Sequence, residues 1–272
     1  MRQKFINIIT LKGYSKNTIN NYLSIFDIIV KEDENIFKKS KDDIIAFLSK
    51  RISTYDYSES YVAQFVSVFN IVIKEVLNRK SKISIPRPKK PSKQPDILST
   101  SEMQKILDAI DNIKHRTIIA LMYSTGLRVS EACSLKITDI DSNNHFISIR
   151  NAKGKVDRKV MLDTGILNLL RDYYKSYKPN GFLFAGAKGD GYSSRSVQQI
   201  LSRAVVNAGI KKNISTHSLR HSCFTQLLKN GVDIRYIQKL AGHKNIGTTA
   251  MYLRLSDEDV INIVSPIKGI NL

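Results

Sequence analysis

Between Ile214 and Tyr252 the sequence reads ISTHSLRHSCFTQLLKNGVDIRYIQKLAGHKNIGTTAMY. Three of the chain's five histidines lie here (His217, His221 and His243), with Arg220 among them and Tyr252 at the end. The stretch has no metal-ligand spacing, no phosphate-cradling Walker loop and no serine-hydrolase elbow. It offers cations, proton-transferring imidazoles and a phenol, which is equipment for holding a phosphodiester and attacking it with tyrosine. Ser215 or Thr216 can cap a helix on which His217 and Arg220, three apart, lie side by side. A phosphate at that N-terminus would meet backbone donors, an imidazole and a guanidinium together. The same residues would also suit a nucleic-acid-facing surface with no chemistry.

Other positions are weighed the same way. His221 is expected to turn away from the His217–Arg220 face and serve structure. Gly242 and His243 fall in a loop after a helix read over Asp233–Leu240. Gly247 and Thr248-Thr249 then start a short helix that carries Tyr252. With twelve tyrosines in the chain, packing is the default reading for any one of them. Tyr236, among Ile234, Ile237 and Leu240, is read as packed. Tyr252 is set apart by the cap and turn that can swing it back toward His217 and Arg220. Upstream, Arg128 follows the Thr-Gly-Leu turn, and Glu131 can reach back to it from three residues on. An arginine held by its own helix's carboxylate inside an apolar segment is suited to binding an anion. Lys153 sits in AKGK, where it is either an ordinary hairpin-tip lysine or a mobile ammonium that enters the site.

The elements that must carry these groups can be read from periodicity. Residues 1–85 read as a bundle of about four helices. These are Gln3–Leu11; a helix after Ser15 with Ile19, Tyr22, Leu23, Phe26, Ile29 and Val30 on one face; Lys41–Ile52 capped by Ser40; and Ser58–Asn78. Four of the six prolines fall from Pro86 to Pro95, and Arg79–Lys93 holds seven Lys/Arg with no acid. Residues 86–96 therefore read as an extended basic linker. Arg87, Lys89, Lys90 and Lys93 are its candidate phosphate contacts, joined by Lys155 near the hairpin tip. The second domain, 97–272, opens with a Ser99 or Thr100 cap and Glu102 near the capping-box position. An apolar helix at His115–Ser124 and another at Val129–Leu135 follow. HFISIRNAKGKVDRKVML alternates as a β-hairpin with a basic tip. Helices resume at Thr164–Tyr177 and Ser193–Ala208. The fold class is mainly α with a small β-hairpin, an α+β arrangement in two domains.

Composition narrows the partner. At 272 residues and 42% apolar content there is material for two cores. The net charge of +19 calls for a polyanion, nucleic acid before all others. Residues 1–95 carry net +9 and the remainder net +10. Charge on both halves suits a two-part clamp around DNA. Cys133 and Cys223 have no cysteine neighbour at metal spacing and read as buried residues of a reducing cytosol. No signal peptide or membrane-length apolar run is seen, so a soluble cytoplasmic protein is expected.

Taken in order, TGLRVSE, AKGK on a hairpin, HSLRHS, AGHKNIGTT and the following tyrosine resemble the tyrosine recombinase (phage-type integrase) family. The resemblance covers Ile97 to Tyr252, and the N-terminal bundle resembles the family's core-binding domain by pattern. It implies that Arg128 and Arg220 bind the non-bridging oxygens of the scissile phosphate, with Glu131 orienting the first arginine. Tyr252 is then the nucleophile, His217 the general base, Lys153 the general acid for the leaving 5′-oxygen, and His243 a hydrogen-bond partner of the phosphate. It also implies site-specific cutting and rejoining of double-stranded DNA through a 3′-phosphotyrosyl intermediate and a Holliday junction, with no metal, ATP or other cofactor. In this family tails dock on a neighbouring subunit of a tetramer. The segment 256–272, with Val260, Ile261, Ile263 and Val264 on one face, is expected to do so. Nothing before the bundle resembles an extra arm-binding domain, which fits a simple recombinase that resolves chromosome dimers or moves a small element. The alternatives are a type IB topoisomerase-like relaxing enzyme and a DNA-binding regulator without chemistry.

Overall fold

The structure, a computed structural model, describes residues 1–79, 96–150, 157–186, 189–243 and 245–252. Contacts divide the chain into two units, Met1–Lys93 and Gln94–Leu272. The linker residues Arg87, Lys89, Lys90 and Lys93, the hairpin-tip residues Lys153 and Lys155, and the segment 256–272 lie outside the described residues.

The first unit is helical: α1 (Arg2–Leu11), α2 (Lys16–Glu32), α3 (Lys41–Tyr55) and α4 (Glu59–Ile71). Each helix after the first starts on a serine whose hydroxyl accepts a backbone N–H: Ser15 from Thr18, Ser40 from Asp43 and Ser58 from Tyr61. Ser40 and Asp43 form a reciprocal capping box. The core is aromatic at its centre, with Phe5 stacked on Phe26, Phe26 on Phe37, and Phe37 tilted against Phe69. The helix expected over Ser58–Asn78 is α-helical only to Ile71 and continues as a π-turn over Val72–Val76. Val72, Ile73 and Val76 are all buried through that wider turn, and Lys4 of α1 donates to the Val76 carbonyl at 2.6 Å.

The second unit is mostly helical with a small three-stranded antiparallel sheet. Its elements are α5 (Thr100–Asp108), α6 (Ile113–Thr125), α7 (Val129–Ser134), β1 (Ile140–Asp141), β2 (Phe146–Ile149), β3 (Arg158–Met161), α8 (Thr164–Tyr177), α9 (Ser194–Asn207), α10 (Thr216–Lys229) and α11 (Ile234–Ala241). Helix α6 is the centre of the core. Thr117 to Met122 are all buried, and α8, α9 and α10 pack around them. The hairpin read from sequence is present, with Phe146 paired to Met161, Ile147 to Val160 and Ile149 to Arg158. Strand β1 adds to its edge through Ile140 opposite Ile147. Two residues are too few to show the period-2 alternation by which strands are read, so that strand was not legible. Polar ties hold the start of this unit, among them the Leu98 N–H donating to Ser222 Oγ at 2.8 Å and Lys212 pairing with Glu102 at 2.7 Å. Among the described residues no helix is long and apolar enough to cross a membrane.

Gly126 ends α6 in the left-handed region at φ +64°, and this is what turns the chain toward α7. A Cβ there would lie 2.5 Å from Phe224 Cζ. Gly126→Ala therefore combines backbone strain with a clash against a buried ring, and should lower the unfolding free energy by more than about 1 kcal/mol. Urea denaturation of the two proteins checks this, and equal midpoints would refute it.

Candidate active site

Helix α10 begins as its sequence directs. Ser215 Oγ accepts the backbone N–H groups of His217 and Ser218, each at 3.2 Å. One turn into the helix, Arg220 is only 2% exposed. Its guanidinium lies over the Phe224 ring, 4.8 Å from the centroid. Nη1 donates to the Gly126 carbonyl at 2.6 Å, and Nη2 to the Ala241 carbonyl at 2.5 Å. Nη2 also lies 3.1 Å from Nε2 of His243. A guanidinium can only donate, so Nε2 of His243 accepts. The remaining ring proton is then on Nδ1, which lies 3.1 Å from the hydroxyl of fully buried Thr249.

Glu131, on α7, is the second anchor. Its carboxylate accepts the backbone N–H of Arg128 and Arg128 Nη1, each at 2.9 Å. Arg158 of β3 meets the same carboxylate with a two-pronged contact, at 3.0 Å and 2.7 Å, and gives its Nε–H to the Leu240 carbonyl at 2.7 Å. Glu131 is buried, which by itself would raise its pKa. The Arg158 contact first, then the Arg128 backbone and side chain, reverse this and bring it down to about 2. It is therefore a fixed negative charge at any working pH.

The three imidazoles of this stretch are all held below their ordinary range. His217 is open to solvent, yet partial desolvation and the Arg220 and Arg128 charges lower it. Desolvation, His217 and Arg220 bring His221 down to about 4. Desolvation and then Arg220, Arg128 and Arg158 bring His243 to about 4. All three are neutral near pH 7, so His217 has a lone pair free to take a proton. Tyr252 is carried by short 3₁₀ turns at Ile246–Thr248 and Ala250–Tyr252. It is 7% exposed and packs on Phe224 and on His221, at centroid distances of 5.7 and 5.6 Å. Burial raises its pKa, while Arg220 and Arg128 act the other way. The phenol therefore keeps its proton until a base removes it.

Arg128, Glu131, His217, Arg220, His243 and Tyr252 are thus brought to one neighbourhood of the second unit. Two expectations are corrected. His221 does not turn away: four residues after His217 it shares that face, and its ring lies 5.0 Å from His217's and 5.6 Å from Tyr252's. Tyr236 is not packed but 67% exposed, because α11 buries only the narrow stripe of Ile237 and Ala241. Arg158 was missed. Its signal was available: it alternates with Val160 and Leu162, both inward-facing, so the hairpin's own period placed a cation on the buried face.

The charges do not cancel. Arg128 and Arg158 share the Glu131 carboxylate, and Arg220 stands near enough to feel the charges of all three. Burial and then Arg128 depress Arg220 to about 10. Such a site is short of negative charge, and an oxyanion would supply it.

The family model described as "Phage integrase family" matches residues 96–259. A tyrosine recombinase XerA of Pyrococcus horikoshii is 31% identical over 98% of this chain and 93% of its own. A putative integrase/recombinase of Sinorhizobium fredii is 40% identical over 68% of this chain and 74% of its own. Among solved structures, a lambda integrase dimer bound to a COC′ core site aligns over 97% of this chain and 96% of that one, with TM-score 0.78. A lambda integrase tetramer bound to a Holliday junction aligns with TM-score 0.75, over 94% and 78%. At 19% and 20% identity these two are likenesses of fold.

The neutral imidazoles set an acid limit on stability. Both His221 and His243 have folded pKa values near 4, below the ordinary 6.5. As pH falls the unfolded chain takes up protons first, so their contribution is complete above about pH 6.5 and is lost toward pH 4. The melting temperature should fall steadily over that window, and less steeply in His221→Phe. A flat profile from pH 7 to 4.5 would refute this assignment.

Proposed function

The chain belongs to the phage integrase family of tyrosine recombinases, and from that membership we propose that it cuts and rejoins DNA at defined sites through a covalent bond between Tyr252 and a 3′-phosphate. The observation that carries this reading is the cation excess, Arg128 and Arg158 on one carboxylate with Arg220 close by, beside a buried tyrosine. A phosphodiester seated there is bound by Arg128 and Arg220 through its non-bridging oxygens. Those charges stabilise the further negative charge that builds on the same oxygens in the transition state. His217 takes the Tyr252 proton, the phenolic oxygen forms its bond to phosphorus, and the bond from phosphorus to the 5′-oxygen breaks. Lys153 supplies the proton that leaves with the 5′-hydroxyl. His243 turns toward the phosphate once an anion makes its protonated or Nε2–H form favourable. The phosphotyrosyl bond keeps the energy of the broken linkage, so reversal by another strand's 5′-hydroxyl needs no nucleotide.

The same reading assigns the rest of the chain. The helical first unit and the lysines and arginines of 86–96 hold duplex DNA by its phosphates, so affinity falls steeply with salt. Four protomers on two sites exchange strands through a Holliday junction. The apolar segment 256–272 docks on a neighbouring protomer and ties the placement of Tyr252 to that neighbour. The role is cytoplasmic integration or excision of an element, or resolution of joined chromosomes, without a metal. The strongly positive site fits this, since it repels a divalent cation.

A duplex nicked near the cleavage point traps the covalent adduct. Wild-type protein should accumulate it, Tyr252→Phe should give none, and Arg220→Gln should form it about 10²–10³-fold more slowly. Adduct formed by Tyr252→Phe would overturn the nucleophile assignment. Removing residues 265–272 should cut recombination of two sites far more than binding of one, and unchanged recombination would remove the docking role.

A further inference from the structure

Arg158 occupies an inward position of β3, in file with Val160 and Leu162, and is 8% exposed. An aliphatic side chain would pack there without any charge to desolvate. Its contacts show what the arginine does instead. Both terminal nitrogens go to Glu131, whose carboxylate holds the backbone and side chain of Arg128. The third nitrogen goes to the Leu240 carbonyl. The next carbonyl along, Ala241, accepts from Arg220, which also holds His243. Both carbonyls are at the end of α11, where no helical N–H reaches them. The turn into His243 runs directly over the guanidinium: a Cβ on Gly242 would lie 3.3 Å from Arg158 Cδ and 3.4 Å from Nη1.

We propose that Arg158 is a positioning residue for strand cleavage, fixing the separation between Arg128 on one side of the phosphate site and the Arg220–His243 pair on the other. It does not touch the phosphate. Its planar fork meets a carboxylate and a carbonyl at once, which a lysine's single ammonium cannot do in that geometry. The inference rests on the Tyr252 reading above, and the test separates the two.

Full-length wild type, Arg158→Lys, Arg158→Ala and Tyr252→Phe are compared on the nicked duplex. Single-turnover cleavage at saturating DNA, affinity for the same duplex and melting temperature are measured for each, all below the lowest melting point. Arg158→Lys and Arg158→Ala should bind DNA within about threefold of wild type and cleave about a hundredfold more slowly, the scale of a misplaced catalytic group. Guanidinium at low millimolar concentration should restore at least about a tenth of the lost rate to Arg158→Ala, by occupying the space between Glu131 and Leu240, and nothing to Tyr252→Phe. A purely structural residue would change melting without this rescue. The inference is overturned if Arg158→Lys cleaves at the wild-type rate, if the loss lies in DNA affinity, if guanidinium does not rescue Arg158→Ala, or if neither variant folds. Absence of adduct with wild-type protein would instead overturn the Tyr252 reading itself.

Discussion

Leu240 and Ala241 close an eight-residue helix, and the peptide oxygens of a last helical turn have no N–H of their own helix to accept from. In this protein both are given to guanidiniums, one from β3 and one from α10. The negative end of α11 is therefore the point at which three distant stretches of chain are pinned together. Glu131 extends the pinning to a fourth, since it holds Arg158 and Arg128 on the same carboxylate. Without that carboxylate, Arg128 and Arg158 would lose the ion pairs that hold them.

The same arrangement explains the electrostatics. Buried charge is costly unless paired, and one carboxylate cannot pair three arginines. The folded protein tolerates the excess by spending carbonyl oxygens of Gly126, Leu240 and Ala241 on the guanidiniums. Those contacts fix orientation without cancelling charge, so the site stays short of negative charge. Burial first, and then the nearby charges, keep the neighbouring imidazoles neutral. His243 acts as acceptor toward Arg220 and His217 is held below the ordinary imidazole range, while burial keeps Tyr252 protonated.

The core around these groups does mechanical work as well. Phe224 lies under the Arg220 guanidinium, touches Tyr252, and fills the space that glycine leaves at position 126. One ring thus supports an arginine, the tyrosine and the turn that leads to Arg128. His221 completes that floor, between His217 and Tyr252. Helix α10 thus packs both on α6 and on the 3₁₀ turn that carries Tyr252.

Much was determined by the amino-acid sequence alone, wherever the deciding physics is local. Helix periods, the serine caps at 15 and 40, the hairpin alternation and the glycine stop at 126 all follow from interactions within a few residues, as do the caps narrowed to Ser99 or Thr100 and Ser215 or Thr216. The residues grouped as a site were legible too, because Arg128, His217, Arg220, His243 and Tyr252 stand in short motifs of fixed order. What tertiary structure decided is who meets whom across long separations. Arg158 reaches Glu131 from twenty-seven residues away and Leu240 from eighty-two. No spacing rule links those positions, only the packing of β3 beneath α7 and the end of α11. The same holds where reading by pattern failed. Whether His221 faces Tyr252, and whether Tyr236 is covered, depends on which side of a helix finds a neighbour, and that neighbour is supplied by distant chain.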